Sequence, residues 1–148
     1  PPGSGSAYGF KSVESLNNWI RSQSAIGGAN ELGPLQLAWL GDAVWELHQR
    51  LRHCYQPGRS EDLHRAVVDE VKAAAQAEAL LRLDPHLSDL EKDLVRRGRN
   101  KSGRGPRRGD AATYGKATGF ETMVGWLFLQ NPARLAQLLD QLEETEHD

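Results

Sequence analysis

Asp42 and Glu121 are acids in places where an ordinary amphipathic helix needs none. Asp42 lies in Leu40-Gly41-Asp42-Ala43-Val44-Trp45-Glu46-Leu47, off the leucine stripe but on a second row with Ala38, Trp45 and Gln49. Glu121 is the only charge in the run Phe120-Glu121-Thr122-Met123-Val124-Gly125-Trp126-Leu127-Phe128-Leu129, and its row is Thr118, Thr122 and Gly125. Small residues let a second backbone approach, so each acid can face a neighbouring helix instead of open water. A buried carboxylate without a partner is costly, so such an acid must be cation-paired, hydrogen-bonded, protonated or holding a metal. Spacing alone does not choose among these, and solvated faces or arginine pairing stay open. If a metal is held, Mg²⁺ suits: it takes a few carboxylate oxygens, keeps several waters and completes its shell with substrate phosphate. Two carboxylates of this kind would fit phosphodiester cleavage.

A second feature points to a polyanion. Arg96, Arg97, Arg99, Lys101, Arg104, Arg107 and Arg108 put seven basic residues into thirteen positions with no acid between them. The whole chain carries −2, so the remainder stands at −9. A concentrated cationic stretch on an otherwise acidic chain grips phosphates at one place, and Asn100, Lys101 and Ser102, after the first arginines, are candidates for phosphate contact; a solvated loop is the plainer reading. The carboxyl end balances it with Asp140, Glu143, Glu144, Glu146 and Asp148.

The elements that must position these groups read as helices throughout, because leucine and alanine dominate and no alternating run suggests a strand. A first helix fits Ser12 to Arg21, after a flexible tail at 1–11 and before a glycine linker at Gly27, Gly28 and Gly33. The second starts near Pro34 and runs to about Arg52, with Leu37, Leu40, Val44, Leu47 and Leu51 as its core stripe. Ser60 caps a long third helix carrying Ala66, Val67, Val71, Ala74, Ala77, Leu80 and Leu81, which ends at Asp84 and Pro85. Ser88 and Glu91 have capping-box spacing for a fourth helix that runs into Arg97 and is released by Gly98. The glycine-rich stretch 99–111 is a flexible connection, a fifth helix spans about Ala112 to Gln130, and Asn131 and Pro132 open a sixth with Leu135, Leu138, Leu139 and Leu142 inward. The acidic end, 143–148, frays.

At 148 residues, with 39% hydrophobic and 26% charged side chains, the chain predicts a single globular all-α domain. No apolar run approaches the roughly 20 residues that cross a bilayer, so no membrane is expected. A lone Cys54 makes neither an internal disulfide nor a cysteine-based zinc site, in keeping with a reducing cytoplasm.

The segment Leu40 to Leu47 resembles the signature helix of the ribonuclease III family, and Phe120-Glu121-Thr122-Met123-Val124-Gly125 resembles its second acidic helix. Ser60-Glu61-Asp62-Leu63-His64-Arg65-Ala66, Ala75-Gln76-Ala77-Glu78 and Arg97-Gly98-Arg99-Asn100-Lys101-Ser102-Gly103 bring it closer to the branch in which the nuclease domain stands alone, Mini-ribonuclease III. The resemblance covers about Leu35 to Leu139. It implies a ribonuclease III-type domain of about six to seven helices over 12–142, dimeric, cleaving double-stranded RNA, with precursor large-subunit (23S) ribosomal RNA as the associated substrate. Asp42 and Glu121 are then the catalytic carboxylates and share Mg²⁺, with Mn²⁺ as a substitute. Arg96, Arg97, Arg99, Asn100, Lys101, Arg104, Arg107 and Arg108 bind RNA. Trp39 and Trp45 suit the contact between signature helices in a homodimer, or else fill the monomer core.

Larger relatives place further acids where Ala38 and Thr118 stand, a departure that leaves the number of bound metal ions open. Bacterial cytoplasm is the expected compartment, with plastid stroma as the other. The competing function is a non-catalytic RNA-binding or ribosome-associated protein with the same domain. Glu46, four residues after Asp42, is read as structural or exposed and outside the catalytic pair. His64 is read as solvated, and His53 with Cys54 as without function.

Overall fold

The computed structural model of the chain describes residues 28–55, 69–103, 105 and 110–147, and within them five α-helices and no strand. These are α1 (Pro34–His53), α2 (Asp69–Leu83), α3 (Asp89–Lys101), α4 (Ala111–Gln130) and α5 (Pro132–His147), with short 3₁₀ turns at Ala29–Glu31 and Asp84–His86. The predicted first helix and tail, Ser60 with Ala66 and Val67, and Arg104, Arg107 and Arg108 lie outside the described residues.

Local chemistry sets the helix starts. Pro34 occupies the first turn of α1, where no amide hydrogen is needed, and the Gln36 side chain accepts from the Gly33 amide at 2.9 Å. At α3 the predicted capping box is present: the Glu91 amide donates to Ser88 Oγ at 3.2 Å, and the Ser88 amide to Glu91 Oε1 at 2.8 Å. Asp110 Oδ1 accepts from the Ala112 amide at 3.1 Å to start α4, and Asn131 Oδ1 from the Arg134 amide at 3.2 Å to start α5.

Helix α4 is the axis of the fold. It is apolar on all sides and packs against α1, α2, α3 and α5, and Gly115, Ala117 to Phe120, Thr122 to Gly125 and Leu127 are all buried. Phe120, Met123, Val124 and Leu127 meet Leu83 from α2, Leu94 and Val95 from α3 and Leu135, Leu138 and Leu142 from α5 in one core. Truncating a fully buried Phe or Leu of this kind costs about 2–5 kcal/mol.

Backbones touch where glycines meet. A Cβ on Gly41 would stand 1.9 Å from the carbonyl oxygen of Glu121, and one on Gly125 would stand 2.0 Å from that of Leu37. Helices α1 and α4 therefore cross with no side chain between them. Gly98 and Gly119 make the same kind of contact between α3 and α4, a Cβ on Gly98 falling 2.2 Å from Thr122 Oγ1.

Several expectations are corrected here. Gly98 does not release α3, which continues through it to Lys101; the glycine is needed for the α4 crossing, and the helix ends instead at Gly103 and Gly105, both with left-handed backbone. Leu47 and Leu51 are exposed, so the α1 stripe is core at Leu37 and partly at Val44 but turns to solvent along its second half. On α2 the core face is Gln76, Ala79, Leu80 and Leu83, while Leu81 is 74% exposed and Ala74 lies outside the core. Trp45 is 7% exposed and belongs to the monomer core, its ring edge-on to Phe120 at 5.2 Å between centroids. The end of the chain stays helical to His147, with Glu143 Oε1 3.5 Å from Arg52 Nε.

Candidate active site

The glycine crossing of α1 and α4 fixes the site. Asp42 follows Gly41, and Glu121 supplies the carbonyl that Gly41 nearly touches, so residues 79 positions apart bring their carboxyl groups close enough for each to feel the other's charge. Thr122, the next residue, ties the crossing further: its Oγ1 lies 2.9 Å from Thr118 O and 3.0 Å from Pro34 O at the start of α1.

Helix α2 closes the third side with two groups that sequence reasoning missed. Gln76 is fully buried and donates from Nε2 to Glu121 Oε2 at 3.1 Å. Lys72, one turn earlier, places Nζ 2.8 Å from Asp42 Oδ1 and 3.3 Å from Glu46 Oε1. Asp42 Oδ1 is shut off from solvent and accepts no well-directed hydrogen bond, so its contact with Lys72 is an ion pair. Glu46 is half-buried and also lies 3.9 Å from Arg50 Nη2, which makes it part of this charged cluster. The available signal was the i, i+4 spacing of Lys72 and Gln76 within an alanine run, which puts two polar groups on one helix face.

The electrostatics are uneven. Burial, then the adjoining Asp42 carboxyl, push the Glu121 pKa up to about 8, against the pull of Gln76 and Lys72. Burial acts to lower the Lys72 pKa, but its contacts with Asp42 and Glu46 outweigh that and raise it. Among the described residues Glu121 forms no ion pair, and no third Asp, Glu, His or Cys joins the pair as a ready metal cage. Ala38 is buried, and Thr118 is buried with its hydroxyl donating to Tyr114 O at 3.0 Å, so neither adds an acid to the pair.

Of the predicted RNA-binding residues, Arg96, Arg97, Arg99, Asn100 and Lys101 are exposed on the second half of α3. Arg96 and Arg97 both pair with Asp93, at 2.5 and 3.2 Å, while Arg99 runs along Gly115 of α4 through its Cγ. Trp39 is 83% exposed on α1. Cys54 is exposed at the end of α1, its Sγ beside Leu51 O, and contributes nothing to the acidic site.

Comparison with known proteins agrees with this arrangement. The Ribonuclease III domain family matches residues 35–132. Mini-ribonuclease 3 of a Synechococcus strain is 49% identical over 119 residues, covering 80% of this chain and 86% of that protein. Mini-ribonuclease 3 of Gloeobacter violaceus is 50% identical over 111 residues, covering 75% and 82%. The crystal structure of protein FN1578 from Fusobacterium nucleatum superposes with a TM-score of 0.65 at 26% identity, covering 73% of this chain and 90% of that one. A fold built on the α1–α4 crossing, with two acids joined across it, thus coincides with extended sequence similarity: the chain belongs to the ribonuclease III family, in its Mini-ribonuclease 3 branch, and is an endoribonuclease.

Proposed function

We propose that the enzyme cleaves double-stranded RNA with a divalent metal ion, Mg²⁺ or in its place Mn²⁺, held by Asp42 and Glu121, and that it acts as a homodimer. The observation that carries this reading is the carboxyl pair itself. Two acids are drawn together by a backbone crossing, burial pushes one of them up to about 8, and among the described residues no ion pair reaches it. Folding has left a site that costs free energy until a cation enters. The residues fit a hard dication: two carboxylate oxygens from the protein, with water and phosphate oxygens to complete the shell.

Each residue then has a task. Gln76 holds Glu121 Oε2 in place with one amide hydrogen and leaves the rest of the carboxylate for the metal. Lys72 pairs with Asp42 from the α2 side and holds its carboxyl group in place. When bound, the cation supplies Lewis-acid chemistry, making a water acidic enough to attack phosphorus and stabilising charge on the departing oxygen. Arg99, Asn100 and Lys101, together with Arg96, Arg97, Arg104, Arg107 and Arg108, hold backbone phosphates. The A-form minor groove is wide and shallow and offers phosphates and 2′-hydroxyls, so recognition follows shape more than sequence.

The dimer is supported by the outer face of α1. Leu35, Trp39, Leu47 and Leu51 recur at multiples of four, all at least half exposed, on the helix that carries Asp42. Trp39 left in water one turn from Leu35, with Leu47 and Leu51 further along the helix, is apolar surface that a second copy would cover. Through the resemblance to its branch, the natural substrate is precursor large-subunit ribosomal RNA, and the compartment bacterial cytoplasm. No described helix is long and apolar enough to cross a membrane.

The test is cleavage of an RNA duplex with Mg²⁺, with EDTA and with Asp42→Asn. Cleavage confined to the untreated wild type is expected, and cleavage that persists in both controls overturns the metal mechanism. A duplex from the ribosomal precursor and an unrelated duplex of equal length separate the natural substrate from duplex binding in general.

A further inference from the structure

Among the described residues the carboxylates at the site form two edges, one bridged by an ion pair and one not. Asp42 and Glu46 stand one helical turn apart on α1, a like-charge spacing that destabilises a helix by a few tenths of a kcal/mol when uncompensated. Lys72 Nζ lies between them, 2.8 Å from one carboxylate and 3.3 Å from the other, with its side chain only 15% exposed. The edge between Asp42 and Glu121 has no such bridging ion pair. Ala38 and Thr118, a turn before Asp42 and Glu121, add no further carboxylate.

We infer that Lys72 is a positioning residue that stands in for a second cation, so that each subunit works with one divalent ion where a fuller acid set would gather more. The inference rests on the reading of Asp42 and Glu121 as metal ligands and deepens it. The ammonium occupies the space in which another dication would bridge Asp42 and Glu46. A dication entering there would have to displace a half-buried, doubly paired lysine and would meet its positive charge at close range. The same charge moderates the affinity of the ion held between Asp42 and Glu121.

Mn²⁺ binding to the metal-free full chain, by titration calorimetry with electron paramagnetic resonance, provides the test. Wild type is expected to bind one ion per chain, and its cleavage rate to rise with the first power of Mg²⁺ concentration. Lys72→Met, which keeps the length of the side chain and removes its charge, is expected to bind two, the first at least about tenfold more tightly because a fixed positive charge has gone. Its cleavage rate should then rise with nearly the second power of Mg²⁺. Lys72→Arg keeps the charge and should stay at one ion. Circular dichroism and melting temperature establish that each variant is folded; a purely structural lysine would change the melting temperature and leave the stoichiometry alone.

Two ions on wild type, or one ion of unchanged affinity on folded Lys72→Met, overturns the inference while leaving the Asp42–Glu121 site standing. Should Lys72→Met not fold, Lys72→Gln and the wild-type stoichiometry decide. No Mn²⁺ on wild type at all removes the Asp42–Glu121 reading and this inference with it.

Discussion

Two acids of this enzyme are drawn away from solvent and treated in opposite ways. Glu91, at the start of α3, is 3% exposed and fully provided for. Arg134 of α5 grips it with Nε to Oε2 at 2.8 Å and Nη2 to Oε1 at 2.9 Å, and the same guanidinium donates to His86 O at 2.7 Å. The Ser88 amide adds a third donor, and the Arg134 and Ser88 bonds outweigh burial to hold the carboxyl below its usual range. Glu121, at the helix crossing, receives one amide hydrogen from Gln76 and faces another carboxylate, and its pKa is driven up to about 8. An acid that serves the fold is satisfied by the fold; Glu121 is left short of positive charge, which under the proposed function a metal ion supplies.

The comparison breaks most severely at the chemistry. Glu121→Gln or Asp42→Asn should lower the single-turnover cleavage rate by at least about a thousandfold, roughly 4 kcal/mol, with little loss of stability. Arg134→Ala should do the reverse. Stranding the Glu91 carboxylate costs about 3–5 kcal/mol of stability by denaturant unfolding, and the rate per folded molecule should stay near that of wild type.

Gly41→Ala couples the two. Its methyl cannot fit against the Glu121 carbonyl, so about 1–3 kcal/mol of stability and much of the activity should go together, as unfolding and rate measurements on one preparation would reveal.

The smallest effect is the pH dependence of metal-free protein. Glu121 binds its proton more tightly folded than unfolded, so its contribution makes stability fall as pH rises from about 4.5 to about 8. Glu91, with its pKa lowered, contributes stability that is present above the unfolded value and lost as pH drops through the folded one. Opposite slopes, removed singly by Glu121→Gln and Glu91→Gln, should appear in unfolding free energies with EDTA present.

What could be read from the sequence followed the range of the interaction. The ends of the Ser88–Glu91 capping box are three positions apart and were legible; the Arg134 that completes it is 43 positions from Glu91 and was not. Asp42 and Glu121 were legible because each is a charge among small and apolar neighbours. Lys72 and Gln76 were hidden because two polar residues in an alanine run look like any solvated face. Gly98 was misread as a helix end, since local propensity does not reveal a crossing partner.

Helix α1 shows the same limit from another side. Its apolar residues line two faces, so a leucine stripe could be recognised but not assigned, and Leu47 and Leu51 were placed in a core that Trp45 occupies instead. Trp39 and Trp45, six residues apart, stand about 120° from each other around the helix, one in solvent and one in the core. Light scattering of Trp39→Glu, expected to be monomeric where wild type is dimeric, would sharpen this division.

The central claim is that Glu121 is kept short of charge for a metal, whereas Glu91 is not. Titration of Mn²⁺ into metal-free wild type, Glu121→Gln and Glu91→Gln tests it most directly. Wild type and Glu91→Gln should bind alike, and Glu121→Gln at least about tenfold more weakly, since one anionic ligand has been lost. Equal affinity in wild type and Glu121→Gln would contradict the account.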